Sequence, residues 1–200
     1  MKSLESTATE PAMIAQLRTR MTSFQPRKLF MPLVPEAAVL LPITRAPEPE
    51  LILTVRTQSM PTHAGEVAFP GGRHEKGETL LQTALRESHE EVGLMPGQVE
   101  LLGQLSPLAS KHMIKVTPFV GLVDAQVPLV GDPREIDEIF RVPLAFFRDQ
   151  TPELSAPFDF FGKKFRLPSY YHDDKRIWGL TALMIIDLVN HVFDRHISVE

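Results

Sequence analysis

The chain has 200 residues, 43% hydrophobic and 23% charged, which fits one ordinary globular domain and excludes collagen-like or wholly disordered chains. Its 21 basic and 25 acidic residues leave a net charge of −4, which argues against a surface built to grip nucleic acid. The absence of cysteine excludes disulfides, thiolate metal sites and cysteine nucleophiles, and no apolar run approaches the roughly 18–20 residues of a membrane span.

Residues 1–10 contain no apolar stretch and predict a loose tail without a secretory leader, in keeping with a cytoplasmic address. Residues 11–200 are expected to form a single domain. Met13, Ile14, Leu17 and Met21 have helical spacing and predict a short amphipathic helix over Pro11–Met21. Ala37–Thr44 and Leu51–Arg56 read as paired strands, followed by a short extended run at Glu66–Phe69 that stops at Pro70-Gly71-Gly72. Thr79–Glu91 predicts a helix with a Thr79/Gln82 capping box, an apolar stripe of Leu81, Ala84, Leu85 and Val92, and Gly93 as the terminating residue. Val99–Leu105 and Lys115–Val123 read as strands, and Ile136–Val142 as a strand or a helical turn. Phe158–Leu167 alternates around Gly162-Lys163, a pair suited to a type II′ hairpin, and Trp178–Phe193 has the spacing of a last helix. Strands mixed with a few helices indicate an α/β or α+β fold.

The chemistry concentrates on the Thr79–Glu91 helix. Glu87, Glu90 and Glu91 stand at i, i+3 and i+4, so they leave one helix face in the last turn, where both mutual repulsion and the helix dipole oppose them. Arg86 at i,i+4 from Glu90 offsets part of that cost, and a hard divalent cation would resolve the rest. A solvated acidic face is the plain alternative for such a charge run. The surrounding residues favour a site: a glycine turn at Gly71-Gly72 allows close backbone approach, and Glu78 and Arg86 lie between it and the acids.

The series Gly72, Glu78, Arg86, Glu87, Glu90, Glu91, Gly93 and Leu94 resembles the Nudix box, G-x5-E-x7-R-E-U-x-E-E-x-G-U, where U is apolar. Ser88 departs from it, standing where the pattern has an apolar residue. Upstream, Leu53-Thr54-Val55-Arg56 and His63 through Gly72 are similar to the extra motif of Nudix coenzyme A pyrophosphatases, L-L-T-x-R-S/A-x3-R-x3-G-x3-F-P-G-G. Thr57 replaces its small residue and Pro61 its second arginine. Glu135-Ile136, Phe140, Pro143-Leu144 and Trp178 to Ala182 extend the likeness downstream.

This resemblance implies a Nudix fold, a mixed β-sheet sandwiched between α-helices. It implies hydrolysis of the diphosphate of coenzyme A or an acyl derivative to 3′,5′-ADP and 4′-phosphopantetheine or its acyl form. Glu87, Glu90 and Glu91, with the Gly72 carbonyl, would hold Mg²⁺ or Mn²⁺. Glu90 is the candidate base, and Arg86 would orient the glutamates. Arg56 and Gly71 would meet substrate, and Glu135 would support the base or metal. ADP-ribose, a dinucleotide or a nucleoside triphosphate is the alternative substrate. A Nudix-fold isomerase would use a cysteine, which the chain lacks, and a ligand sensor fused to a DNA-binding module would need a basic helix-turn-helix. The expected partner is a small nucleoside diphosphate derivative, with neither nucleic acid nor membrane, and a homodimer is left open.

Overall fold

Strand β1 (Glu36–Arg45) carries two sets of apolar side chains at alternate positions, and the two sets face different layers. A computed structural model describes residues 10–59, 63–160 and 163–199. In it Ala38 and Leu40 pack beneath helix α2 (Leu80–Val92), against Ala84, Val92 and Leu94. Leu41 and Ile43 face the opposite core, shared with Ile14 and Leu17 of α1 (Ala12–Ser23) and Ile185, Leu188 and Val189 of α4 (Gly179–Phe193). The expected sheet between helices is therefore observed.

The remaining elements are β2 (Glu50–Arg56), β3 (Val67–Ala68), β4 (Gly71–Arg73), β5 (Glu100–Gln104), β6 (Leu108–Ala109), β7 (Lys115–Asp124), β8 (Ile136–Pro143), α3 (Leu144–Asp149), β9 (Glu153–Leu154), β10 (Phe158–Phe160), β11 (Lys163–Phe165), β12 (Pro168–His172) and β13 (Lys175–Trp178). The main sheet runs β3-β2-β1-β7-β5, with β4 on β1, β6 on β7 and β8 on β2. It is mixed: β1 and β7 are parallel along their length, whereas β1–β2 and β2–β8 are antiparallel. Among the described residues, no helix is long and apolar enough to cross a membrane.

One feature of this topology positions the site. Strands β1 and β2 pair at Ile43↔Leu51 and then diverge. Beyond the split, β3 pairs with β2 at Thr54 and Val55, while β4 pairs with β1 from Ala37 to Val39. The segment Val67–Arg73 thus crosses from one arm of the split to the other. The sequence reads Pro70-Gly71-Gly72 as a stop, but Gly71 and Gly72 continue as strand β4. Steric demand explains the difference: a Cβ at Gly71 would collide with the Ala38 carbonyl and stand 2.6 Å from Val39 Cα, so only glycine lets the strands approach.

Ile136–Val142, open between strand and helical turn in sequence, is strand throughout β8. The strands flanking Gly162 pair as a hairpin, Phe158↔Phe165, but Gly162 lies outside the described residues, as does Pro61. The sheet of β13, β12 and β9 has no counterpart in the sequence reading. Its hairpin turns at Asp173-Asp174, where Asp173 takes a φ of 52°, a left-handed conformation that Asp tolerates better than most residues.

Candidate active site

Helix α2 begins and ends as its sequence dictates. The Thr79 hydroxyl accepts from the Gln82 backbone N–H at 3.2 Å, and the Gln82 side-chain Oε1 accepts from the Thr79 backbone N–H at 2.7 Å. Gly93 closes the other end at φ 72°. Ser88, the departure from the box, is fully buried and donates to the Ala84 carbonyl at 2.6 Å, which satisfies its hydroxyl within the helix.

Strand β4 lies beneath the helix, and each of its residues meets a different side chain of α2. The Gly71 N–H donates to Glu91 Oε2 at 3.0 Å. Gly72 faces the Glu87 carboxylate so closely that a Cβ there would stand 2.5 Å from both carboxylate oxygens. The Arg73 carbonyl accepts from Arg86 Nη2 at 3.2 Å. The glycine pair and the acid–arginine series are thus two sides of one contact.

Two arginines hold the acids. Arg86 is gripped by Glu78 through two bonds, Nη2 to Oε1 at 2.9 Å and Nε to Oε2 at 3.1 Å. That grip sets Nη1 at 2.8 Å from Glu87 Oε1 and 3.3 Å from Glu90 Oε2. The Arg86 guanidinium, with help from the Glu75 N–H and the Thr83 hydroxyl, lowers the Glu78 carboxyl to about 2. Arg56 arrives from the end of β2, with Nη1 at 2.9 Å from Glu91 Oε1 and Nη2 at 3.3 Å from Glu135 Oε2.

The three box glutamates, equal in the sequence reading, differ sharply in environment. The Glu91 side chain is 4% exposed, Glu87 19% and Glu90 57%. Among the described residues no three acidic or histidine side chains converge into a metal cage. In the metal-free arrangement Glu91 turns inward to Gly71 and Arg56, whereas Glu87 and Glu90 meet Arg86. The donor set still suits a hard divalent cation. All three are carboxylates, an ionised carboxylate has about four acceptor positions, and protein donors use only some of them here. The bare Gly72 backbone leaves room beside Glu87 that any side chain would fill.

Burial pushes the Glu91 carboxyl up to about 7, against the opposing pull of the Gly71 N–H and Arg56. Glu87 is also raised by burial, partly offset by Arg86. A carboxyl with a folded-state pKa above its unfolded value stabilises the fold most below the unfolded pKa, and that contribution is lost as pH rises through the folded pKa. Glu78 works in the opposite sense, but its window lies below about pH 4.5. The metal-free protein should therefore melt several degrees higher at pH 5.5 than at pH 8, and Glu91→Gln should flatten that dependence. Thermal melts in chelator check this; a melting temperature that rises with pH in wild type would refute it.

Other polar and aromatic side chains along the chain have partners of their own. His63 pairs with Glu66 at 2.6 Å, and His74 meets the Thr83 hydroxyl at 3.1 Å. Trp178 caps α4 and stacks under Arg176, with 4.9 Å from the guanidinium to the ring centroid. In the acidic cluster after Gly131, Glu135 joins Arg56, whereas Glu138 pairs with Lys175 at 3.0 Å. Sequence reasoning missed the contact between Arg56 and Glu91, which spans 35 positions and has no local signal.

A family model described as the NUDIX domain matches residues 34–159. The "Uncharacterized Nudix hydrolase NudL" of Photorhabdus laumondii is 41% identical over 157 residues, covering 78% of this chain and 84% of the relative. The protein of the same description from Yersinia pestis (strain Pestoides F) is also 41% identical over 157 residues, covering 78% and 79%. Among solved structures, the "MutT/nudix family protein from Enterococcus faecalis" aligns with a TM-score of 0.55 at 17% identity, covering 91% of this chain and 70% of that one, a likeness of fold.

Proposed function

The chain belongs to the Nudix family and is a pyrophosphohydrolase, and from that premise we propose that its substrate is coenzyme A or an acyl derivative, cleaved to 3′,5′-ADP and 4′-phosphopantetheine or its acyl form. The observation that carries the substrate is the stretch from Leu53 to Gly72, which is similar to the coenzyme A pyrophosphatase motif and supplies three residues of the carboxylate cluster: Arg56, Gly71 and Gly72. Pro61, which replaces an arginine of that motif, favours a second reading in which another ADP conjugate is the substrate.

Glu87, Glu90 and Glu91, with the Gly72 carbonyl, would hold Mg²⁺ or Mn²⁺. When bound, such an ion neutralises diphosphate charge and lowers the pKa of water. Glu90, the most exposed of the three, accepts the proton as water oxygen bonds to phosphorus and the bridging P–O bond breaks. Arg86, fixed by Glu78, orients Glu87 and Glu90 rather than the substrate. Glu135, at the rim and tied to Arg56, is the second carboxylate able to support the base or the metal. The family's soluble substrates fit a cytoplasmic protein, and a homodimer is compatible with the reading.

The test is a panel of coenzyme A, dephospho-coenzyme A, ADP-ribose, a dinucleotide and nucleoside triphosphates, each with Mg²⁺ or Mn²⁺ and with products weighed by mass spectrometry. Coenzyme A should be cleaved with the highest kcat/KM, giving 3′,5′-ADP. Preference for ADP-ribose would make Pro61 the mark of a changed substrate.

A further inference from the structure

We propose that Arg56 is a positioning residue of the hydrolytic site, one whose guanidinium spans Glu91 on α2 and Glu135 before β8 and holds both carboxylates in place. The proposal rests on the reading of this cluster as the hydrolytic site.

The backbone of Arg56 is held on both sides. Its N–H donates to the Glu66 carbonyl at 3.0 Å, and its carbonyl accepts from the Gly65 N–H at 3.0 Å. The next residue, Thr57, donates its N–H to the Glu135 carbonyl at 2.9 Å. At this point the β2–β8 register shifts: Val55 pairs with Glu138 but Arg56 with Ile136, so Asp137 is the extra residue on β8. Such a bulge bends the strand that carries it, so β8 turns beside the β2 end at which Arg56 meets α2.

Both terminal nitrogens are used by carboxylates from different elements, and the side chain is only 16% exposed. Together with the Gly71 N–H, Arg56 fixes both oxygens of Glu91, one donor each. The far side of Glu91 is tied as well, since its carbonyl accepts from the Asp132 N–H at 2.9 Å in the loop that leads to Glu135. A planar fork on a fixed backbone therefore closes a ring from β2 through α2 and this loop to β8. A substrate phosphate reaching Arg56 would have to compete with two carboxylates already in place.

The experiment uses the full chain with Arg56→Ala, Arg56→Lys and Glu135→Gln. It measures Mn²⁺ affinity from the resonance of free Mn²⁺, and kcat and KM on coenzyme A and dephospho-coenzyme A. Partners that orient a metal ligand typically change affinity or activity by about 10–100-fold when removed, so Arg56→Ala should weaken Mn²⁺ binding on that scale. Its kcat should fall by the same factor on both substrates, with KM moving less than about threefold. Arg56→Lys should restore part of both, because an ammonium can serve one carboxylate but not span two. Glu135→Gln, which keeps the Arg56–Glu91 pair, should give a smaller loss in the same direction.

A raised KM for coenzyme A alone, with kcat and Mn²⁺ affinity preserved, would overturn the proposal and put the guanidinium on the 3′-phosphate. If wild type cleaves neither compound, the substrate reading fails and Mn²⁺ affinity still decides: unchanged affinity in folded Arg56→Lys and Arg56→Ala overturns the proposal. If Arg56→Ala does not fold, Arg56→Lys and Glu135→Gln carry the same comparison.

Discussion

Replacing Glu91 with glutamine is expected to cut kcat by about two to three orders of magnitude while the protein stays folded, because charge placed at a reacting centre is commonly the largest catalytic contribution. The substitution keeps the shape of the side chain and removes its charge. The amide oxygen can accept from the Gly71 N–H or from Arg56, but the amide nitrogen then faces the remaining donor. The carboxylate's position is thus loosened as well as neutralised. Stability should hardly suffer in the metal-free protein, since burial already disfavours the charged form of this residue. Rates measured with Mg²⁺ and Mn²⁺, beside a thermal melt of the same preparation, separate the two effects. Turnover within a fewfold of wild type would remove Glu91 from the machinery.

The helix that bears Glu91 was fully legible in sequence because its signals are local. Thr79 and Gln82 form the cap, and Gly93 supplies the left-handed terminus. Ser88, an exception to the pattern, finds its partner four residues back within the same helix. What lay outside sequence reasoning depends on chain crossings. Glu91 reads as one of three equal acids of the box until β4 is laid beneath it, and Arg56 reads as a substrate contact, with nothing local to pair it with Glu91 and Glu135. The β12–β13 hairpin was missed for a different reason. Its Tyr170 and Ile177 are buried, but they sit among Tyr171, His172, Asp173, Asp174, Lys175 and Arg176, whose polarity masks the alternation. The Asp173-Asp174 turn was the available signal.

The two glycines of β4 should separate stability from catalysis. At Gly71, an added Cβ collides with backbone, the Ala38 carbonyl and Val39 Cα, and backbone in the middle of a paired strand cannot step aside cheaply. Gly71→Ala should therefore destabilise by about 1–3 kcal/mol, as overpacking typically does. For a chain of this size that corresponds to a melting temperature lower by roughly 2–10 °C. At Gly72 the obstacle is the end of the Glu87 side chain, which can swing away. Gly72→Ala should leave the melting temperature within about 2 °C of wild type, because the cost falls on a movable group. The displaced Glu87 carboxylate would lose its place against β4 and its 2.8 Å bond to Arg86, and displacement by about an ångström at a catalytic group can cost a hundredfold. The expected pattern is thus a stable, nearly inactive Gly72→Ala beside an unstable Gly71→Ala whose residual folded fraction retains more activity per molecule. Melting curves and active-fraction-corrected kcat on the two variants test it directly. A Gly72→Ala protein with wild-type kcat would mean that Glu87 can act from another position, and that its closeness to the glycine backbone serves packing alone.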